Sequence, residues 1–158
     1  MFRDIQRVRQ KLDREECLTV LKTAKRGVLS VIGDDGYPYG LPINHYYDEE
    51  TGKLYFHSGK TGHKIDALRA SDKASFCVMD EGERMEGEWW LTFRSVVVFG
   101  RVSFVEDYDE AIEVSRKLSC RFTDDGAYIE REIVQSGPAV LVFSLTPEHM
   151  TGKRVREK

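Results

Sequence analysis

The chain of 158 residues lacks any apolar run that could cross a bilayer. Stretches such as Val96–Phe99 fall far short of the roughly 20 residues a spanning helix needs. It also lacks a charge of one sign: 24 basic against 27 acidic residues leave −3. No overall field draws in nucleic acid, whose binding depends on clustered Lys and Arg. The basic stretches Arg3–Arg14 and Lys153–Lys158 lie at the ends and read as solubilising termini. Behind Met1, charges at Arg3, Asp4, Arg7, Arg9 and Lys11 break up any secretory leader, so a cytoplasmic location is expected. Only three cysteines are present. Cys17, Cys77 and Cys120 are odd in number and widely spaced in apolar surroundings, which predicts buried thiols instead of disulfides or a metal site. The spacing of His57 and His63 suits no common zinc motif, and Cys, Asp or Glu partners are missing, so no metal is expected. No G-x-S-x-G elbow occurs, which argues against a serine hydrolase. Acid pairs such as Asp34–Asp35, Asp48–Glu49 and Asp124–Asp125 sit in predicted turns and read as turn formers.

What is present is one domain's worth of patterned sequence. Apolar residues make up 41% and charged residues 32%, which suits a globular chain with one core, so 1–158 is expected to be a single domain. Its ends, 1–12 and 154–158, are expected to be flexible or to contact a partner. Asp13 and Glu16 form a capping box before Cys17, Val20, Leu21 and Ala24 on one helical face. Val28–Ile32 and Tyr37–Tyr47 read as strands joined through Gly33–Gly36. Pro38 and Pro42 cannot donate ladder hydrogen bonds, which makes the second an edge strand or one broken where a ligand meets its backbone. Further strands are predicted at Leu54–Ser58, Ala74–Met79 and Ala139–Leu145, and Trp89–Val105 reads as one long bent strand or two meeting near Arg94 and Ser95. Helices are predicted at Gly62–Ala70, from Tyr108 to Phe122 and at Ala127–Gln135, with a mobile loop at Glu81–Glu88. Six strands in mostly hairpin order, without regular strand–helix alternation, predict a mainly β antiparallel barrel with peripheral helices and not a doubly wound parallel sheet.

The densest polar cluster runs from Tyr55 to Lys64. Ser58 and Thr61 offer hydroxyls, and Gly59 and Gly62 let backbone N–H groups approach an anion. Lys64 falls in the first turn of the following helix, whose positive end favours phosphate. The same residues also fit a plain hydrophilic connection. Gly59-Lys60-Thr61 imitates the end of a P-loop, but that motif needs glycine where Leu54 stands, so a Walker-type site is rejected.

Three stretches taken together resemble the flavin-binding split-barrel superfamily related to pyridoxamine 5'-phosphate oxidase, and specifically its nitroimidazole-resistance branch. They are Gly36–Asn44, Leu54–Lys64 and Arg94–Gly100, followed by Thr151-Gly152-Lys153, in matching order. The resemblance implies a six-stranded split barrel that binds FMN at the interface of a homodimer. It places the phosphate near Ser58, Gly62, His63 and Lys64, and the flavin ring beside Leu41, Pro42, Ile43 and Asn44, with Asn44 as a polar contact. Ser95 and Val96 match a segment contributed by the partner subunit, with Val97 and Val98 as dimer core, and Lys153 matches the family's ending. His57 matches a histidine near the flavin, which either positions substrate and relays protons or packs beneath the cofactor. The arginine and lysine pattern of pyridoxamine phosphate oxidases proper is missing, so vitamin B6 oxidation is not implied. The branch suggests reduction of a small electron-poor substrate such as a nitroaromatic, with Trp89 and Trp90 on an aromatic surface. Storage or sensing of FMN without turnover, and a haem or deazaflavin in the same barrel, are the alternatives.

Overall fold

The computed structural model describes all 158 residues. Its strands are β1 (Arg26–Ile32), β2 (Pro38–Asn44), β3 (Tyr46–Asp48), β4 (Lys53–Gly59), β5 (Lys73–Met79), β6 (Glu83–Arg84), β7 (Leu91–Phe104) and β8 (Val140–Arg156). The helices are α1 (Arg14–Thr23), α2 (His63–Ala70), α3 (Tyr108–Ser119) and α4 (Gly126–Ser136). The strands form one antiparallel sheet in the order β2-β1-β5-β7-β8-β4-β3, with β6 beside β7. The predicted mainly β architecture is therefore present, with eight strands instead of six. One extra strand arises because His45 separates β2 from β3, and the other because the loop after β5 makes two pairs with β7. No helix is long and apolar enough to cross a membrane.

Two long strands let the sheet curl. The first residues of β8 pair with β4 on one edge and β7 on the other, and the remainder continues along β7 to Arg156. Their register shifts at Phe99/Gly100, where a bulge bends the pair. A Cβ on Gly100 would collide with the Thr146 carbonyl, so this close approach requires glycine. The predicted last strand stopped at Leu145; the sheet carries it eleven residues further because β7 supplies a partner that polar sequence alone does not reveal.

Inside the curl, Phe56 stacks on Phe143 at 5.1 Å and meets Phe76 edge-on at 5.1 Å. Leu29, Leu54, Val78, Val96, Val98 and Leu145 complete a core that α1 closes with Val20 and Leu21, and α2 with Ile65 and Leu68. The α1 capping box forms as predicted: Glu16 N–H donates to Asp13 at 2.8 Å, and Asp13 N–H to Glu16 at 3.1 Å. Arg121 then donates to the carbonyls of Lys22 and Ala24 at the other end of α1, and to that of His45.

Several expectations need correction. Cys17 is buried, but Cys77 and Cys120 are exposed, because Cys77 falls on the outer face of β5 and Cys120 follows the last turn of α3. Trp90 is buried under Arg156, whose guanidinium sits 4.2 Å from the ring centroid, leaving only Trp89 of the pair exposed. Flexibility does not extend to Phe2, which stacks on His149 at 5.0 Å, or to Arg154 and Arg156, which lie within β8. Alternation along β7 sends Val96 and Val98 into this chain's own core and leaves only Val97 facing outward, so Val98 is not dimer core.

Candidate functional site

The sheet does not close. β2 pairs only with β1, and β3 reaches only the first half of β4, at Lys53, Leu54 and Tyr55. From His57 onward the free edge of β4 therefore faces the free edge of β2 across a seam. The proline-interrupted strand is an edge, as its composition predicts.

A cavity of about 400 Å³ occupies this seam, lined by Arg26, Pro42, Ile43, Asn44 and His57. Arg26 is the register partner of Asn44, which puts both side chains on the outer face of the β1–β2 ladder. Arg26 was absent from the sequence-based candidates because Lys25-Arg26-Gly27 reads as a helix stop. The overlooked signal was the start of β1, where alternation points Arg26, Val28, Ser30 and Ile32 the same way.

Beyond His57, β4 ends at Gly59 and a short loop leads into α2. Gly62, at φ +117°, occupies the N-cap position, and no side chain caps the helix. This backbone conformation favours glycine, and a Cβ there would meet only open space. The helix start therefore presents backbone N–H groups with an open approach. Lys64 is half-buried and forms no ion pair. Burial lowers its pKa, as expected for an ammonium drawn away from water without an anion to answer it. Partial desolvation by the walls of the seam lowers the pKa of His57, whose side chain still reaches solvent, and the nearby Lys64 charge lowers it further. His57 is thus held toward its neutral form, beside a cation.

His63 is engaged elsewhere. Its ring stacks on Tyr39 at 4.3 Å, and Nε2 accepts from the Asp34 N–H at 3.4 Å, pinning α2 to the β1–β2 turn. Ser58 follows His57 and is half-buried. Ser95 and Lys153 are register partners, but on β7 and β8, with β1 and β5 between them and β2. At about 4.8 Å per strand, they stand roughly 14 and 19 Å from β2 along the sheet. The Val96 side chain is fully buried in the core, so it has no surface to offer a ligand. The structure thus gathers Pro42, Ile43, Asn44 and His57 with Arg26 at one seam, sets Lys64 next to it, and leaves Ser95 and Lys153 on a separate part of the outer face.

That outer face is bare. Helix α3 covers the sheet around Tyr55 and Val142, but no helix covers β1, β5 and the middle of β7, where only Phe2 stacks on Phe99 at 5.6 Å. Val28 is 43% exposed, Ile32 47%, Met79 65% and Phe99 39%.

A family model described as pyridoxamine 5'-phosphate oxidase matches residues 13–154. No curated protein matches the chain. Among solved structures, a candidate 5-nitroimidazole antibiotic resistance protein from Bacteroides thetaiotaomicron is similar, with TM-score 0.76 and 21% identity over 92% of this chain and 87% of that one. An FAD-binding protein from Mesorhizobium loti has TM-score 0.67 and 24% identity, covering 92% of this chain and 97% of its own. An FAD- and haem-binding protein from Mycobacterium smegmatis has TM-score 0.72 and 21% identity over 94% of this chain and 74% of that one. At these identities the structures establish a shared fold, and the family match covers the barrel and the seam together. The chain belongs to the pyridoxamine 5'-phosphate oxidase family.

Proposed function

We propose that the seam binds FMN in a homodimer, and that the protein is a flavin-dependent oxidoreductase acting on a small electron-poor substrate such as a nitroaromatic. The observation that carries this reading is Lys64, a half-buried cation without an anionic partner, at an uncapped helix start beside two open strand edges. A phosphate placed there would receive a charge-assisted contact from Lys64 and backbone N–H groups from the α2 terminus. Pro42, Ile43 and Asn44 offer a free backbone edge and one amide to a flat ring, and none of the five residues lining the cavity is acidic.

Flavin, when bound, supplies reversible two-electron chemistry. This chain's share is to hold the ring, keep His57 neutral as a proton acceptor or packing surface, and limit water. Conversion of a nitro group to nitroso consumes two electrons and two protons and releases water, with electrons from an external reductant.

The dimer reading rests on the bare face. Its exposed Val28 and Ile32 on β1 and Phe99 on β7 share the outer face with the Ser95–Lys153 pair. A second copy on that face would cover the apolar surface and bring its own Ser95 and Lys153 toward the seam of the first.

A visible spectrum of freshly purified protein, followed by titration with FMN and with FAD, tests the cofactor. Flavin bands with tighter binding of FMN are expected; haem bands, or no uptake of either flavin, would overturn the assignment. Light scattering is expected to give twice the chain mass, and a monomer would remove the dimer. Anaerobically reduced protein is expected to be reoxidised by a nitroaromatic in single turnover. Failure with every nitro compound while flavin stays bound would leave storage or sensing as the role.

A further inference from the structure

A second cavity, about 540 Å³, adjoins the seam and is lined by Thr23–Arg26 and Met79–Glu81. Arg26 lines both cavities. The charged groups around this second space are unequal in what they already hold. Lys25 donates to the Arg121 carbonyl and sits 5.3 Å from the Phe122 ring centroid. Asp80 accepts from Arg94 Nε at 2.7 Å and from the Arg94 N–H at 2.8 Å. Arg26 is exposed and has no carboxylate within ion-pair distance. It is the one uncommitted cation at the junction of the two cavities.

We propose that Arg26 anchors the carboxylate of a small organic acid in this second cavity, next to the seam. A guanidinium presents a planar fork that matches the two oxygens of a carboxylate. The opposite wall favours a single negative charge over two: Asp80 is neutralised by Arg94, but Glu81 has no cationic partner and repels a dianion about twice as strongly as a monoanion at the same distance. Met79, 65% exposed, gives the remainder of the acid an apolar surface. The inference deepens the flavin reading by naming its substrate class: an electron-poor acid, held by its carboxylate with its other end toward the seam.

Isothermal titration calorimetry of the purified full chain with benzoate and with benzamide, its uncharged counterpart of similar shape, tests this. Wild type is expected to favour benzoate by about tenfold or more, equivalent to ~1.4 kcal/mol. Arg26→Gln should bring the two ligands to equal affinity, and Arg26→Lys should keep part of the preference, since it retains the charge and loses the fork. Because the exposed Arg26 side chain forms no hydrogen bond or ion pair within the chain, both variants should retain the wild-type melting temperature. No preference in wild type, or a preference that survives Arg26→Gln, would overturn the proposal. The flavin reading fails separately, by lack of FMN or FAD uptake, and the benzoate-to-benzamide ratio decides the Arg26 site in either case.

Discussion

Phe56 and His57 are consecutive residues of one strand and belong to opposite regimes. Phe56 is fully buried in a barrel interior packed ring against ring, whereas His57 looks into a seam where the cations Arg26 and Lys64 have no partner. The interior uses its polar groups to fix structure: His45 is fully buried, and its Nε2 lies 2.7 Å from the Leu21 carbonyl. The seam leaves its polar groups free. Stability concentrates in the first region and ligand affinity in the second, so a substitution should move one property without the other.

The largest effect is expected inside. Phe143→Ala removes a fully buried ring from the aromatic stack and should cost about 3–5 kcal/mol, read as a lower denaturation midpoint at fixed protein concentration. A loss under about 1 kcal/mol would mean that the interior collapses easily and is not the rigid half of the comparison.

Acid should attack the interior next. Burial depresses the pKa of His45 to about 4, below its ordinary value near 6.5. Between these values the unfolded chain binds the proton and the folded chain does not, so stability is full above pH 6.5 and falls as the pH drops toward 4. The loss should approach about 3 kcal/mol, measured by denaturation at stepped pH. His45→Gln should flatten that part of the profile. An unchanged slope in the variant would move the acid sensitivity elsewhere.

At the seam, Lys64→Ala should weaken FMN binding by about 1.5–3 kcal/mol, roughly 10- to 150-fold, with little change in melting temperature of the flavin-free protein. A variant that keeps FMN affinity but unfolds earlier would invert the assignment. The smallest effect belongs to neither region: Asp13→Ala removes the α1 cap and should cost about 1 kcal/mol while leaving FMN affinity unchanged.

Much of this division was legible in the sequence where the signal is local. The capping box at Asp13 and Glu16, the glycine-containing connection into α2, and the edge character conferred by Pro38 and Pro42 all appear where composition put them. Arg26 carries no local signal of a site, because a basic residue before glycine suits a helix end and a strand start equally well. Exposure of Cys77 was misread for a related reason: a thiol amid apolar residues looks buried until the strand's facing is known. The resemblance sets His63 beside the phosphate, whereas its ring stacks on Tyr39, toward the β1–β2 hairpin, a contact no local pattern encodes.

The sequence by itself determined six of the strands in their cores, the α1 cap and the loop suited to an anion, because alternation, capping and glycine conformations act over a few residues. Only the tertiary structure decided which free edges meet. The opposition of β2 and β4 and the separation of Ser95 and Lys153 from that seam depend on how far two long strands curl the sheet. That curl comes from contacts between residues tens of positions apart, such as Phe56 with Phe143 and Gly100 with Thr146. The same curl leaves Arg26 at the junction of two cavities, a position no local pattern encodes.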